Sequence, residues 1–191
     1  MTKLYIEKYK KKDELNILEI GFAYGTSALM FLNQLKNYNY KKNYHIIDMN
    51  QTKQWHSYGI KNIENFKKIY NFNLDYKLYE KDSTIVLPKL STQYDIIFID
   101  GGHTYEIVIQ DIINSDKLLK YNGIMILDDV LHSGVKKALL EFIQKNKNYY
   151  KIKIIKNKDK LNLDLDKVIY SDLLKKRDYF NPNSMYAFIK L

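Results

Sequence analysis

Cysteine is absent from the 191 residues. That excludes a disulfide framework and a thiolate metal site, so any metal must take oxygen or imidazole ligands. Proline occurs twice, tryptophan once and glycine seven times. No Pro/Gly/Ser-rich linker divides the chain, and no internal repeat is visible. No apolar run approaches the ~20 residues that span a bilayer. The opening MTKLYIEKYKKKDE carries no signal-peptide apolar core. The expectation is a soluble cytoplasmic protein without membrane attachment. Its length suits one domain, residues 1–191, with a sizeable core. At 46% hydrophobic and 28% charged residues, the composition is globular rather than disordered.

Acidic residues are outnumbered, and the formal net charge is +9. An excess of this size suits an anionic partner such as nucleic acid, a nucleotide-linked substrate or an acidic surface. It is equally what an AT-rich coding sequence yields, because Lys, Asn, Ile and Tyr crowd stretches such as NQLKNYNYKKNYH and KIKIIKNKDK. The basic residues are dispersed rather than gathered in one stripe, so the charge carries little weight here.

Short apolar runs alternate with helical patterns, which predicts a parallel sheet with crossover helices. The strands are LNILEI (15–20), YHIID (44–48), DYKLYE (75–80), YDIIFID (94–100), GIMILDD (123–129), YYKIKII (149–155) and MYAFIKL (185–191). Helical spacing follows the first strand at Ala28, Leu29, Leu32 and Leu35. It returns in IENFKKIYNF, in a short KDSTIVLPKL segment, at Tyr105, Val108, Ile109, Ile112 and Leu119, and at Val135, Ala138, Leu139, Phe142 and Ile143. Residues 1–14 form a short N-terminal segment. Residues 157–184 lack a period and read as an irregular insertion before the last strand. With no convincing helix between them, the last two strands are expected to pair antiparallel.

In such sheets ligands bind beyond the carboxyl ends of the strands. That rule lines up Gly21 to Ser27, Asp48, Asp82, Asp100 to His103, Asp128 and Asp129 along one rim. Turns explain the glycines but not so many carboxylates. The first turn spaces its glycines as Gly-x-x-x-Gly, Gly21 to Gly25. Ala23 stands where a dinucleotide fingerprint needs glycine for the pyrophosphate, so a nucleoside without phosphates is preferred. Glu19 beside the turn suits a cationic ligand, while Thr26 and Ser27 either cap the helix or bond a ligand carboxylate. Asp48, 27 residues after Gly21, either accepts from both ribose hydroxyls or forms a turn. Asp82 and Ser83 either reach an adenine amino group or serve as an N-cap.

Asp100 ends one strand, and Asp128 and Asp129 end its expected neighbour about 4.8 Å away. Three carboxylates so close call for a protonated member or a bound cation. Mg²⁺ takes such oxygen ligands and could act as a Lewis acid on a substrate hydroxyl. The alternative is one Asp capping a helix and another facing solvent. His103, on the glycine-rich loop after Asp100, is a candidate general base. His132 follows DDVL and could also face the site. His56 follows the single Trp55, which is a wall over the ligand or a core residue.

Together, Glu-x-Gly-x-x-x-Gly after the first strand, an acid after the second, Asp-Ser after the third and IDGGHTYE after the fourth resemble class I S-adenosylmethionine-dependent methyltransferases. The resemblance covers roughly residues 15 to 150, and SMYAFIKL is similar to the final antiparallel strand of that class. IDGGHTYE followed by ILDDV, with DMNQTKQWHSYGI, is similar to metal-dependent O-methyltransferases, including the macrolide-sugar and, more distantly, catechol types. The resemblance implies a Rossmann-like three-layer α/β/α sandwich. Its sheet would have seven mostly parallel strands with the last antiparallel. It implies S-adenosylmethionine held by Glu19, Gly21, Gly25, Thr26, Ser27, Asp48, Met49, Asp82, Ser83 and Asp100. It implies Mg²⁺ on Asp100, Asp128 and Asp129, and His103 as base. The chain departs from this pattern in its short N-terminal segment, which implies an open site or one completed by a second subunit. It also has no clear match for the catechol-type lysine.

The resulting expectation is methyl transfer to a hydroxyl of a small molecule, a sugar or glycan precursor. One alternative is an RNA methyltransferase, although neither a Lys-Asp-Lys-Glu set nor an Asn-Pro-Pro-Tyr-like motif is present. The other is a non-catalytic binding subunit of the same fold.

Overall fold

The computed structural model describes residues 13–146, 150–153 and 186–190. The irregular insertion at 157–184 and nearly all of the N-terminal segment lie outside the described residues. Seven strands form one sheet: β1 (Glu14–Ile20), β2 (Lys41–Ile47), β3 (Asp75–Tyr79), β4 (Tyr94–Ile99), β5 (Leu119–Leu127), β6 (Tyr150–Lys153) and β7 (Tyr186–Lys190). Their spatial order is β3-β2-β1-β4-β5-β7-β6. Strands β1 to β5 run parallel. Strand β7 is antiparallel to β5 and also to β6, so the last two strands pair as expected.

The helices are α1 (Thr26–Leu35), α2 (Tyr58–Tyr70), a single turn α3 (Ser83–Val86), α4 (Tyr105–Leu118) and α5 (Ser133–Lys145). A 3₁₀ turn, Leu87–Lys89, follows α3 with Pro88 inside it. No helix among the described residues is long and apolar enough to cross a membrane.

Two boundaries differ from the sequence expectation. Leu119 belongs to β5, not to the preceding helix: it pairs with Tyr94 before an irregularity that precedes the Ile96–Ile124 pairing. The exposed Tyr121 and Asn122 in that irregular stretch break the apolar run, which is why the sequence pattern appears to begin at Gly123. Helix α2 begins at Tyr58, a full turn before the expected segment.

The sheet is covered on both faces. All six residues of β4 are buried, and from Ile96 onward the pleat sends them alternately to two cores. Ile96 and Phe98 join Phe31, Leu32, Leu35 and Ile126 on one face. Ile97 and Ile99 join Val108, Ile112, Ala138 and Phe142 on the other. Continuous apolar strands are the signature of a sheet buried on both sides. The chain leaves β1 in one direction, toward β2 and β3, and then crosses to β4 on the other side of β1. That reversal opens a crevice at the carboxyl ends of β1 and β4.

Candidate active site

A cavity of about 430 Å³ fills the crevice. Three acids border it by the same device. Asp48, Asp100 and Asp128 each stand one residue beyond a strand, and each donates its backbone N–H to the last carbonyl of a neighbouring strand. The acceptors are Tyr79 (3.2 Å), Ile20 (2.7 Å) and Ile99 (2.9 Å). The sheet's own hydrogen-bond ladder therefore fixes the row of carboxylates.

Gly21 makes the tightest approach. Its φ is +80°, and a Cβ there would lie 1.9 Å from the Asp100 carbonyl oxygen. Only glycine lets the first turn pass this close to the end of β4. The turn is then shaped by Asp48, which is 7% exposed. Its Oδ2 accepts from the N–H groups of Phe22 (3.0 Å) and Ala23 (2.8 Å), and its Oδ1 accepts from Asn50 N–H at 2.8 Å. Ala23 is held in the left-handed region, φ +47°. Asp48 is thus an organiser of the turn as well as part of the cavity wall. Asp82 also has two jobs. Its Oδ1 caps α3 by accepting from Thr84 N–H at 2.8 Å, and the residue lines the cavity with Ser83.

A family model described as "Methyltransferase domain" matches residues 18–130. The chain belongs to this family. It is an S-adenosylmethionine-dependent methyltransferase, and its sheet is the Rossmann-like one of that class. The Streptococcus mutans protein SMU.1697c, solved in complex with SAH, is similar in fold with a TM-score of 0.64 and 10% identity, covering 97% of each chain. An rRNA methylase from Streptococcus thermophilus gives 0.60 and 11%, covering 100% of this chain and 95% of that one. CalS11, a TDP-rhamnose 3'-O-methyltransferase of calicheamicin biosynthesis, gives 0.62 and 13%, covering 99% and 76%. No match was found among curated protein sequences.

Of the residues expected to serve the methyltransferase's cofactor, Gly21, Thr26, Ser27, Asp48, Met49, Asp82, Ser83 and Asp100 line the cavity. Gly25 and Glu19 do not. Gly25 closes the turn by donating its N–H to the Phe22 carbonyl at 2.7 Å. Glu19 is sealed beneath the turn at 0% exposure. Its carboxylate accepts from the Ser27 hydroxyl and from Tyr44 OH at 2.5 Å, so it braces the first turn of α1 instead of presenting a charge to a ligand.

Burial pushes the Glu19 carboxyl from its ordinary value of 4.5 up to about 7, against the opposing hydrogen bonds of Ser27 and Tyr44. The folded state therefore binds this proton more tightly than the unfolded chain does. Its stabilising effect is complete below pH 4.5 and is lost as pH rises toward 7. The span corresponds to about 3 kcal/mol. Thermal melts from pH 4.5 to 7 should show Glu19→Gln with a flatter profile than the native protein. Parallel profiles would refute this assignment.

Trp55 lines the cavity, whereas His56 does not. Tyr24, which the sequence did not single out, packs edge-on against Trp55 with ring centroids 5.1 Å apart. His56 instead meets Tyr58. Left-handed backbone at His56 and Ser57 turns the chain so that these successive aromatics point different ways. Lys81, Gln54, Met30 and Phe31 also line the cavity, and no motif announced them. Asp111 on α4 was missed too. It is fully buried, and burial raises its carboxyl to about 7 against the pull of Ser83, with Asp82 adding to the rise.

Of the three acids expected to converge, two line the cavity and Asp129 does not. Asp128 lines the cavity with Asp100. Asp129 adopts φ +54°, and its N–H is taken by Asp128 Oδ1 at 2.7 Å. That twist carries the Asp129 carboxylate to His103, with Nε2–Oδ2 at 3.0 Å. His103 lies beside a small recess that shares Asp100 and Asp128 with the main cavity. His132 stacks on its ring at 4.5 Å.

Gly134 locks this corner. A Cβ there would lie 2.2 Å from the His103 carbonyl oxygen and 2.8 Å from Tyr105 N, so the first turn of α5 rests directly on the β4–α4 loop. Gly134→Ala should cost roughly 1–3 kcal/mol by forcing them apart. Chemical denaturation should show the loss; an unchanged midpoint would disprove the contact.

Proposed function

We propose that this methyltransferase moves the methyl group of S-adenosylmethionine to a hydroxyl oxygen of a small molecule, a sugar or glycan precursor. The observation that carries the reading is the meeting of two arrangements. Asp100 and Asp128 face the cavity from adjacent strands, and a His103–Asp129 pair stands beside them. The activity of CalS11, methylation of a TDP-rhamnose 3'-oxygen, supports the acceptor class.

The oxygen-only donor set of Asp100 and Asp128 fits Mg²⁺. A Mg²⁺ ion held by these two carboxylates would supply Lewis acidity that lowers the pKa of the acceptor hydroxyl. The protein's own residues do the rest. The Gly21 turn, Asp48, Met49, Asp82 and Ser83 orient the donor so that the sulfonium methyl faces the acceptor. With Nε2–H given to Asp129, His103 keeps a lone pair on Nδ1 and takes the hydroxyl proton. The resulting imidazolium is stabilised by the Asp129 carboxylate. The acceptor oxygen forms the new bond to carbon as the carbon–sulfur bond breaks, leaving S-adenosylhomocysteine and a methyl ether. Since the donor is already activated, alignment contributes most of the rate.

The test is label transfer from methyl-labelled S-adenosylmethionine to a panel of nucleotide sugars, with total RNA as a parallel acceptor. Label in a sugar hydroxyl supports the reading. Label in RNA alone, with binding that weakens steeply with salt, overturns it in favour of an RNA substrate. Absence of donor binding in calorimetry would reduce the chain to a scaffold.

A further inference from the structure

Outside the donor cavity, the described residues gather one set of mixed ligand atoms. His103, Asp129 and His132 each offer one nitrogen or oxygen, and these atoms all lie within 4.8 Å of one another. The set is built from two elements. Asp129 and His132 belong to one turn after β5, closed by the His132 N–H donating to the Asp129 carbonyl at 2.9 Å and anchored by the buried Val130. His103 comes from the β4–α4 loop, pressed onto α5 at Gly134. The two imidazoles stack with an interplanar angle of 25°. Side chains of His103 and Asp129 are 42% and 37% exposed, so an ion has a path in.

We propose that His103, Asp129 and His132 form a site for a borderline divalent cation of the Zn²⁺ type, separate from the Asp100–Asp128 pair. Two imidazoles and one carboxylate are the donors such ions prefer, whereas Mg²⁺ takes oxygens. The present 3.0 Å separation of His103 Nε2 and Asp129 Oδ2 is close to the separation of neighbouring ligands around a tetrahedral ion, about 3.3 Å from Zn–N and Zn–O lengths near 2.0–2.1 Å. Three protein ligands leave a coordination position for water. The site has a consequence that rests on the reading of His103 as the base. A cation bound to His103 Nε2 replaces the proton given to Asp129; the neutral ring then carries its one proton on Nδ1 and has no free lone pair to take the hydroxyl proton. Zn²⁺ would then switch methyl transfer off, reversibly.

Calorimetric titration of the purified full chain with ZnCl₂ and, separately, MgCl₂, without donor or acceptor, tests the site. One Zn²⁺ per chain is expected, with affinity at least about tenfold weaker in His132→Ala and unchanged in Asp100→Asn. Perturbation of the His103 and His132 ring signals by Zn²⁺ in the native protein gives the same answer if His132→Ala does not fold. Absence of Zn²⁺ binding, undisturbed ring signals, or binding unaltered in folded His132→Ala would overturn the proposal. The second arm follows methyl transfer in fixed MgCl₂ with added ZnCl₂, each protein referred to its own rate in MgCl₂ alone. Inhibition that a Zn²⁺-selective chelator reverses with MgCl₂ still present, and that His132→Ala escapes, supports the switch. Zn²⁺ bound at the site without inhibition would leave the site standing and overturn the role of His103 as base.

Discussion

His103→Ala is expected to lower the rate of methyl transfer by about 10²- to 10⁴-fold and to leave donor binding unchanged. The two halves of this expectation have separate causes. His103 borders the small recess rather than the main cavity, so its ring is outside the wall that holds the donor. Its partner is Asp129 at 3.0 Å, which in the proposed reaction would fix the tautomer and steady the imidazolium. Asp129→Asn should therefore lower the rate in the same direction but less deeply, since the ring stays in place while its charge stabilisation weakens. Single-turnover rates beside calorimetric donor affinities check both. Full activity in His103→Ala would remove the proposed base, and a parallel loss of donor affinity would move His103 into the binding site.

Gly21→Ala is expected to destabilise the protein by about 2–5 kcal/mol, adding a left-handed backbone cost to a core overlap. The added methyl would lie 1.9 Å from the Asp100 carbonyl oxygen and 2.4 Å from its carbon. Both obstacles are backbone, so no side chain can swing aside. The first turn would have to leave β4, and Asp48 would lose its bonds to Phe22 and Ala23. Donor binding should disappear with the fold's local order. Gly101→Ala is the matched control, because a Cβ there meets nothing nearer than the Ile20 Cγ2 side-chain methyl at 3.3 Å. A drop of roughly 5–20 °C in Tm is expected for Gly21→Ala, with a far smaller one for Gly101→Ala. Equal shifts would contradict the account of Gly21.

Much of this architecture was legible because it depends on period and punctuation. Buried strands such as YDIIFI announce themselves as continuous apolar runs, and the residue after each strand is fixed by the same count. Hence the sequence alone lines up Asp48, Asp100 and Asp128 on one rim, with Asp82 three residues past the end of β3. Side-chain direction was another matter. Glu19 and Asp48 are both acids next to the first turn in space, yet one is a sealed brace and the other shapes the cavity wall. Strand position says where a Cα lies, whereas burial depends on which neighbours close over the carboxyl.

FIDGGHTYE and MILDDV show the same division. The sequence by itself determined that an acid and a histidine follow β4 and that two acids follow β5, because strand ends are set by the apolar runs before them. Only the tertiary structure decided how they pair. A left-handed backbone at Asp129 turned its carboxylate from the expected trio toward His103, and the close seating of Gly134 brought His132 alongside. Backbone twist at one residue and the packing of a helix on a loop leave no periodic trace in a sequence; they appear only when separate elements compete for the same space.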